Sequence, residues 1–292
     1  MTARRNEAEA VAQRFAALTR ELPATSPRAW HYRALHLANR AGGHLSRGLG
    51  IGYRQGFDSG AFMDHVYADR PRGRTPLGVA LDRRLLARPT CQAFRDIRDL
   101  AREAVADAIT AHPGPEGPLV MDVAAGPAPY LLTAIAGHPT ARAVLCDIDP
   151  AALGLAGDTA RRLGVDGRVK VYRADAFAVD GLAALAPHPD ILLELGLYGI
   201  YHDDERIRRH LLDVGRLLRP AQIVCNVQTR NPEIEYIARV WRNAAGRRCV
   251  WRLRPHEWIV QWAAAAGYAP ARITADRHGI YRVMRFVRED LA

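Results

Sequence analysis

Apolar positions in the second half of the chain recur in short runs, and each run is followed by a stretch with helical spacing. Five runs lie near residues 118–124, 142–147, 168–173, 189–195 and 221–227, and the helical stretches lie near 128–136, 150–163, 204–218, 232–244 and 256–266. This alternation predicts a largely parallel sheet with right-handed crossovers. Two further runs, near 268–274 and 280–287, flank the turn at 276–279. We therefore expect an α/β fold with a seven-stranded, mostly parallel sheet sandwiched by helices.

The amino-terminal part of the chain carries helical patterns instead. Apolar spacing predicts one helix over residues 6–22, ended by prolines, and a second over 29–41. The glycine-rich segment 48–52 follows no strand and precedes no GK[ST] triplet, so we interpret it as a flexible joint and not as a phosphate loop. Thr90 is expected to cap a long helix that stops at the proline- and glycine-rich connector 112–118.

That connector marks a predicted domain boundary. Residues 1–112 are expected to form a helical cap or lid, and residues 113–292 are expected to form the sheet domain. The chain has 292 residues, of which 49% are apolar. This length allows either one large domain or one domain plus an appendage. It contains no apolar run of membrane-spanning length and begins with a charged amphipathic pattern, so we expect a cytoplasmic protein with no membrane partner.

Composition narrows the chemistry further. The four cysteines show no close pairing, which indicates buried thiols in a reducing compartment. The histidines show no HxxxH spacing and no acid–histidine cluster, so we expect no metal site. The net charge of +10 is almost entirely arginine, since Lys170 is the only lysine. Most arginines are interpreted as solvated surface residues, but one local excess suits a phosphate-facing wall: Arg70, Arg72, Arg74, Arg83, Arg84 and Arg88.

Acidic residues recur where successive predicted strands end, the edge at which open α/β sheets bind ligands. A nucleoside cofactor needs such acids, for its ribose hydroxyls and for the amino group of its adenine. Small residues after the first strand allow the backbone to approach a ligand closely, and apolar residues beside the later acids can cover the adenine. This pattern predicts an S-adenosylmethionine site made by Asp122, Ala124, Gly126, Asp147, Ile148, Asp175, Ala176 and Phe177. For each acid alone, a helix cap or a surface position is the alternative.

The fourth predicted strand ends in polar residues that would lie beside the methyl donor. A carboxylate at the end of an apolar strand is costly unless it is paired or functional, so Glu194 is a candidate general base. The alternative is an ion pair with a nearby arginine. Tyr198 and His202 follow at helical spacing as further catalytic candidates, and Leu195 is a candidate cofactor contact.

Three segments also resemble a bacterial methyltransferase family whose members occur alone or joined to an α/β-hydrolase. They read Gly56-Phe57-Asp58-Ser59-Gly60, Met63-Asp64-His65-Val66-Tyr67 and Gly196-Leu197-Tyr198. The resemblance implies a Rossmann-like class I S-adenosylmethionine-dependent methyltransferase over residues 118–287. It also implies that the amino-terminal segment folds over the crevice as a lid.

A helical lid suits a small acceptor that must be enclosed, and its arginines and tyrosines favour a compact anion such as a phosphate or diphosphate ester. Candidate substrate-binding residues are Tyr53, His65, Tyr67, Arg74, Gln228 and Arg230. The specific hypothesis is C-methylation of an isoprenyl diphosphate such as isopentenyl diphosphate, with Glu194 removing the proton. We expect no nucleic-acid partner, and a homodimer is compatible with the sequence. Two alternatives are RNA methylation, which the basic charge favours, and a non-catalytic Rossmann-like binding module, which the alanines in the first turn favour.

Overall fold

A computed structural model describes residues 2–186 and 188–291 of the chain. These residues form two compact units. The first comprises the described residues of Met1–Asp96 and Arg230–Leu253, and the second comprises those of Ile97–Thr229 and Arg254–Ala292. We call them the helical unit and the sheet unit. The predicted boundary at residue 112 stays a prediction.

The sheet unit is built on seven strands in the order β3-β2-β1-β4-β5-β7-β6. Strands β1 to β5 run parallel, and β7 is antiparallel to both β5 and β6. The fold class predicted from the sequence is confirmed. The strands are β1 Leu119–Asp122, β2 Arg142–Asp147, β3 Val169–Arg173, β4 Ile191–Glu194, β5 Gln222–Gln228, β6 Tyr268–Ala275 and β7 Tyr281–Arg288.

Helices cover both faces of this sheet, so its central strands are apolar on both sides. Successive residues alternate between two cores: Val120 lies in one and Met121 in the other, and Leu193 and Leu192 divide in the same way. This burial explains why the strands read as continuous apolar runs. The helices of this unit are α7 Pro129–Gly137, α8 Pro150–Arg162, α9 Val179–Leu185, α10 Leu197–Ile200, α11 Asp204–Asp213 and α13 His256–Ala265.

The helical unit contains short helices around an aromatic centre. Trp241 is fully buried and stacks on Phe57 at 4.6 Å between ring centroids, while Phe62 meets its ring edge-on. Serine or threonine side chains cap four of the helices by accepting a backbone N–H. The helices are α1 Thr2–Thr19, α2 Pro27–Gly42, α3 Arg47–Gln55, α4 Gly60–Ala68, α5 Pro76–Leu86 and α12 Ile234–Val240; α6 Pro89–Thr110 contributes to both units.

The glycine-rich segment 48–52 is a correction to the sequence-based expectation, because it is not a flexible joint. It lies inside α3, and all five of its residues are buried. Its glycines serve close packing: a Cβ on Gly52 would lie 2.4 Å from the Phe57 ring. The low helix propensity of glycine misled the prediction, since tertiary packing decides this segment.

Several helix boundaries also differ from the predicted ones. Helix α1 ends at Thr19, helix α12 spans Ile234–Val240 only, and a π-helical turn over Val214–Leu218 follows α11. Thr90 lies inside the first turn of α6 and not before it, so it is not the cap. Its hydroxyl instead donates to Glu233 at 2.7 Å. Helices α4, α5, α9 and α10 were not predicted; α10 has only four residues, too few for a periodic signal.

The four cysteines are buried and unpaired, with two in each unit: Cys91 and Cys249, and Cys146 and Cys225. Burial raises the pKa of the Cys91, Cys146 and Cys249 thiols to about 12. Within residues 2–186 and 188–291, none of the helices has both the length and the hydropathy that crossing a membrane requires.

Candidate active site

The order of the parallel strands reverses between β1 and β4, and ligands of open α/β sheets bind outside the carboxyl ends of the strands at such a point. Asp122 ends β1 and Asp147 ends β2, while Asp175 follows the end of β3 by two residues. These three strands are neighbours in the sheet. The three predicted acids therefore lie along one edge.

The turn after β1 is fixed by hydrogen bonds from its backbone N–H groups to the end of β2. The Ala125 N–H donates to the Cys146 carbonyl at 3.0 Å, and the Gly126 N–H donates to Asp147 Oδ2 at 2.8 Å. Gly126 has a φ of +52°, and a Cβ there would meet no atom within 4 Å. Ala128 has a φ of +47°, a left-handed conformation that costs a non-glycine residue about 1–2 kcal/mol. The turn thus presents backbone to an open space beside Gly126.

Asp147 is half-buried and anchors this turn. Its Oδ2 accepts from Gly126, and its Oδ1 accepts from the Asp149 N–H at 2.9 Å. Each oxygen keeps acceptor capacity beyond its one backbone donor, which is what a ribose diol requires. Ile148 follows with 59% of its surface exposed, an apolar surface available to cover a flat ring. Asp149 caps helix α8 by accepting from the Ala151 N–H.

The third strand end carries a cluster of rings. Asp175 Oδ1 accepts from the Phe177 N–H at 2.9 Å, and Ala176 between them is buried. The Phe177 ring meets Tyr201 edge-on at 4.4 Å between centroids. The Arg206 guanidinium lies 4.1 Å from the Phe177 centroid and 4.0 Å from Asp175 Oδ2. The aromatic surface predicted for Phe177 is thus shared with Tyr201.

Asp122 lies beneath the first turn with none of its surface exposed. The Tyr130 hydroxyl donates to its Oδ2 at 2.6 Å, and the Ala124 N–H donates to its Oδ1 at 3.3 Å. Burial raises the pKa of Asp122 to about 7, although the hydrogen bonds from Tyr130 and Ala124 oppose that rise. This carboxyl therefore titrates near neutral pH.

Glu194 is fully buried, and both of its oxygens accept from side chains. The Tyr198 hydroxyl donates to Oε2, and His210 Nε2 lies 2.5 Å from Oε1. Glu194 is therefore paired with a histidine and not with the arginine that the alternative interpretation named, and this acid–histidine pair was not visible in the sequence. Burial and then the Glu194 charge raise the pKa of Tyr198 well above its usual value, so its hydroxyl stays a donor. Tyr198 has no exposed surface, so its side chain is packed beneath the site.

The loop after β4 is fixed by two residues that sequence reasoning missed. Gly196 has a φ of +78°, and its N–H donates to Asn226 Oδ1 at 2.8 Å. The fully buried Arg254 donates to the carbonyls of Tyr198 and Tyr201 and, at 2.7 Å, to Asp204. Leu195 is 8% exposed at the strand end, and His202 is exposed after α10.

Neither missed residue carries a local signal. The guanidinium of Arg254 contacts the chain 50 to 56 residues earlier, and Asn226 reads as one polar residue inside a buried strand. Tyr130 and His210 were missed for the same reason: their partners are set by the packing of the sheet. The one hint that Asn226 offered is its place in the interior of a buried strand, whose other two amides, Gln222 and Gln228, stand at the strand ends.

The predicted substrate-binding residues divide between the two units. Gln228 ends β5 in the sheet unit, where its buried Nε2 has no hydrogen-bond partner among the described residues. Arg230 is exposed and belongs to the helical unit, as do the other predicted residues. The Tyr53 hydroxyl donates to the Val240 carbonyl at 3.2 Å, and the His65 ring binds Asp82 at 2.8 Å. Tyr67 is half-buried in α4, and Arg74 is exposed.

Comparisons with known proteins place this geometry in a recognised class. A Bordetella parapertussis protein described as a possible exported protein matches with a TM-score of 0.65 and 21% identity, over 95% of this chain and 93% of its own. Magnesium protoporphyrin IX methyltransferase of Synechocystis PCC 6803, with bound S-adenosylhomocysteine, matches with a TM-score of 0.55 and 15% identity, over 80% of this chain and 97% of its own. The fold is therefore that of class I S-adenosylmethionine-dependent methyltransferases.

The family is settled by sequence. The chain belongs to the family described as "Putative methyltransferase", whose model matches residues 2–288. The uncharacterized protein YnbC of Escherichia coli K12 is 29% identical over 266 residues, which cover 89% of this chain and 45% of YnbC. The chain thus spans less than half the length of that relative. The predicted methyltransferase family is confirmed, and the predicted cofactor class agrees with these comparisons.

Proposed function

We propose that the protein transfers a methyl group from S-adenosylmethionine to a small-molecule acceptor. The observation that carries the proposal is the row of carboxylates at the carboxyl ends of β1, β2 and β3, next to the strand-order reversal. Two glycines with positive φ, Gly126 and Gly196, border this edge, and a Cβ on either would meet no atom within 4 Å. The family membership supports the same chemistry.

The residues present fit this cofactor. Asp147 would accept from the ribose hydroxyls, Ile148 and Phe177 would cover the adenine, and Asp175 would accept from its amino group. Gly126 and Ala124 would bring backbone close to the amino-acid part, with Asp122 beneath them. When bound, S-adenosylmethionine supplies an electrophilic methyl group on a sulfonium. Its positive charge would favour ionisation of the Asp122 carboxyl, whose pKa lies near 7.

Methyl transfer from a sulfonium is an in-line displacement, so the protein contributes alignment and water exclusion more than covalent chemistry. Glu194, Tyr198 and His210 form a buried hydrogen-bonded group: Glu194 precedes the loop at 195–203, Tyr198 lies within it, and His210 lies on α11 after it. We infer that they position this loop. Because both Glu194 oxygens already accept hydrogen bonds, these contacts support a positioning role and give no support to isopentenyl diphosphate as the acceptor.

Two glycine variants test the cofactor site with a matched control. Gly126 and Gly164 both have positive φ, of +52° and +67°, and a Cβ on either meets no atom within 4 Å. Gly126 follows the carboxyl end of β1, whereas Gly164 precedes β3 at its amino end. Gly126→Ala and Gly164→Ala should therefore lose similar stability, about 1 kcal/mol each. Only Gly126→Ala should weaken binding of S-adenosylhomocysteine, by about tenfold or more, in calorimetry on the full chain.

Equal affinity in the two variants would contradict the placement of the cofactor. Absence of any binding to the wild-type chain would instead favour the non-catalytic module.

The acceptor class is tested with methyl-labelled S-adenosylmethionine and two pools, total small metabolites and total RNA. Label in the metabolite pool, with a mass gain of about 14 Da, is the expected result. Label in RNA alone would establish the rival activity.

A further inference from the structure

The helical unit contains a cavity of about 290 Å³ whose walls are strongly basic. Its lining includes Arg47, Arg54, Arg72 and Arg74, together with His44 and Ser46. None of the four guanidinium groups forms an ion pair with a carboxylate in the described part of the chain. Elsewhere in the same unit arginines are compensated, since Arg88 pairs with Glu233 at 2.8 Å and Arg95 with Asp69 at 3.2 Å. Four positive charges that line one cavity without a carboxylate partner would attract an anion to it.

Backbone contacts join the two segments that carry three of these arginines. The Arg47 N–H donates to the Arg72 carbonyl at 3.0 Å, and the Arg74 N–H donates to the Leu45 carbonyl at 2.9 Å. An antiparallel bridge pairs Ser46 with Gly73 between them. This short two-stranded contact fixes the Cα positions of the arginines, so less ordering is needed when a ligand binds.

Asp82 connects the same two segments through hydrogen bonds. It is fully buried, and its Oδ1 accepts from the Ser46 hydroxyl and the Gly48 N–H, each at 2.6 Å. Its Oδ2 accepts from the Arg72 N–H and from His65 Nε2, each at 2.8 Å. These four donors use the whole acceptor capacity of the carboxylate. Asp82 therefore holds the walls of the cavity without neutralising the arginine side chains.

From this geometry we propose that the cavity of Arg47, Arg54, Arg72 and Arg74 binds a compact phosphate-bearing anion, a phosphate monoester or a diphosphate. Its volume is close to the lower end of small-molecule sites. Guanidinium forks match phosphate oxygens in pairs and stay charged at every physiological pH. The four arginines line one cavity of limited volume, which favours a small ligand over a nucleic-acid strand.

This inference does not depend on methyl transfer. It also reduces the group of six arginines that the sequence suggested for binding phosphate. Of those six residues, only Arg72 and Arg74 line the cavity, and Arg88 is paired with Glu233. Arg83 and Arg84 lie exposed on α5 in the same unit, outside the lining. They provide a control with an identical change of charge.

The experiment is calorimetric titration of inorganic phosphate and pyrophosphate into the full chain, without S-adenosylmethionine. Arg72→Gln/Arg74→Gln should weaken pyrophosphate binding about 100-fold, which is tenfold for each arginine. Arg83→Gln/Arg84→Gln should change it less than threefold. All four side chains are exposed, so both double variants should melt at the wild-type temperature.

Equal losses in the two double variants would overturn the proposal, because general electrostatic attraction would then explain the binding. Absence of pyrophosphate binding to the wild-type chain would overturn it directly. A single-stranded RNA that binds more tightly than pyrophosphate, and that loses affinity equally in both double variants, would reassign the basic surface to nucleic acid. Binding of pyrophosphate that is lost only in Arg72→Gln/Arg74→Gln supports the site.

Discussion

The buried carboxyl of Asp122 predicts a specific pH dependence of stability. Its pKa is about 7 in the folded chain and 3.8 in an unperturbed one. Below pH 3.8 both states hold the proton. As the pH rises from there to about 7, the unfolded state releases the proton while the folded state keeps it, so the free energy of unfolding falls. Once the pH exceeds the pKa of Asp122 in the folded chain, the folded state loses its proton as well, and the stabilisation that came from burying a neutral carboxyl is gone.

The magnitude follows from the interval between the two pKa values. Roughly three pH units at 1.36 kcal/mol each give about 4 kcal/mol in total. Between pH 5 and pH 8 the free energy of unfolding should fall by about 3 kcal/mol of this total. Asp122→Asn keeps the shape and is neutral at every pH. Its amide can still accept from the Ala124 N–H, and the Tyr130 hydroxyl can accept from the new NH₂ group.

The assay is urea unfolding of the ligand-free chain at pH 5, 6, 7 and 8, followed by circular dichroism. The free energy of unfolding of Asp122→Asn relative to wild type should rise by about 3 kcal/mol from pH 5 to pH 8. Asp158→Asn is the control, because it makes the same chemical change on a side chain that is 61% exposed. That variant should follow the wild-type curve at each pH.

The reasoning would be refuted by parallel pH curves for wild type and Asp122→Asn. Such a result would mean that Asp122 ionises at its ordinary pKa and that water or a rearranged Tyr130 solvates its charge. A curve of opposite sign, with the variant losing relative stability as the pH rises, would mean that the folded chain stabilises the carboxylate and not the neutral acid.

Three further outcomes are expected. Asp147→Asn should weaken S-adenosylhomocysteine binding about tenfold, or 1.4 kcal/mol, while Asp158→Asn leaves it unchanged; calorimetry compares the two. Arg254→Met removes one donor from three acceptors, of which the Tyr198 carbonyl is buried and the other two are part-buried, and should lower stability by about 3 kcal/mol, with Arg254→Lys intermediate; urea midpoints measure both. Hydrogen bonds outweigh burial and lower the pKa of Asp82, so wild type should lose its advantage over Asp82→Asn below about pH 4, seen in melting temperatures against pH.

The sheet was predictable because its signal is local. Strands buried on both faces read as apolar runs, and the acids that end β1 and β2 stand immediately after them in sequence. Parallel pairing then brings those ends to one edge without further information. The candidate cofactor residues could therefore be proposed from the sequence, although their roles stay predictions.

The remainder depends on partners that are distant in sequence. Glu194 reads as an isolated acid, and only the packing of α11 against β4 brings His210 to it. Arg254 looks like one of many arginines until its three acceptors are placed. The segment 48–52 shows the opposite error: its glycines suggest a loop, yet the demand for close packing in α3 explains them. Composition cannot distinguish these cases, since each is decided by neighbours in space.

The distribution of the cysteines provides intrinsic reporters of local opening. Only a thiolate attacks alkylating reagents at an appreciable rate, and an enclosed thiol with a pKa near 12 is almost entirely protonated. Modification of Cys91 or Cys249 would thus report exposure in the helical unit, and modification of Cys146 or Cys225 would report exposure in the sheet unit. Peptide mass spectrometry after timed alkylation can time the two openings separately, in the unaltered chain and without an added probe.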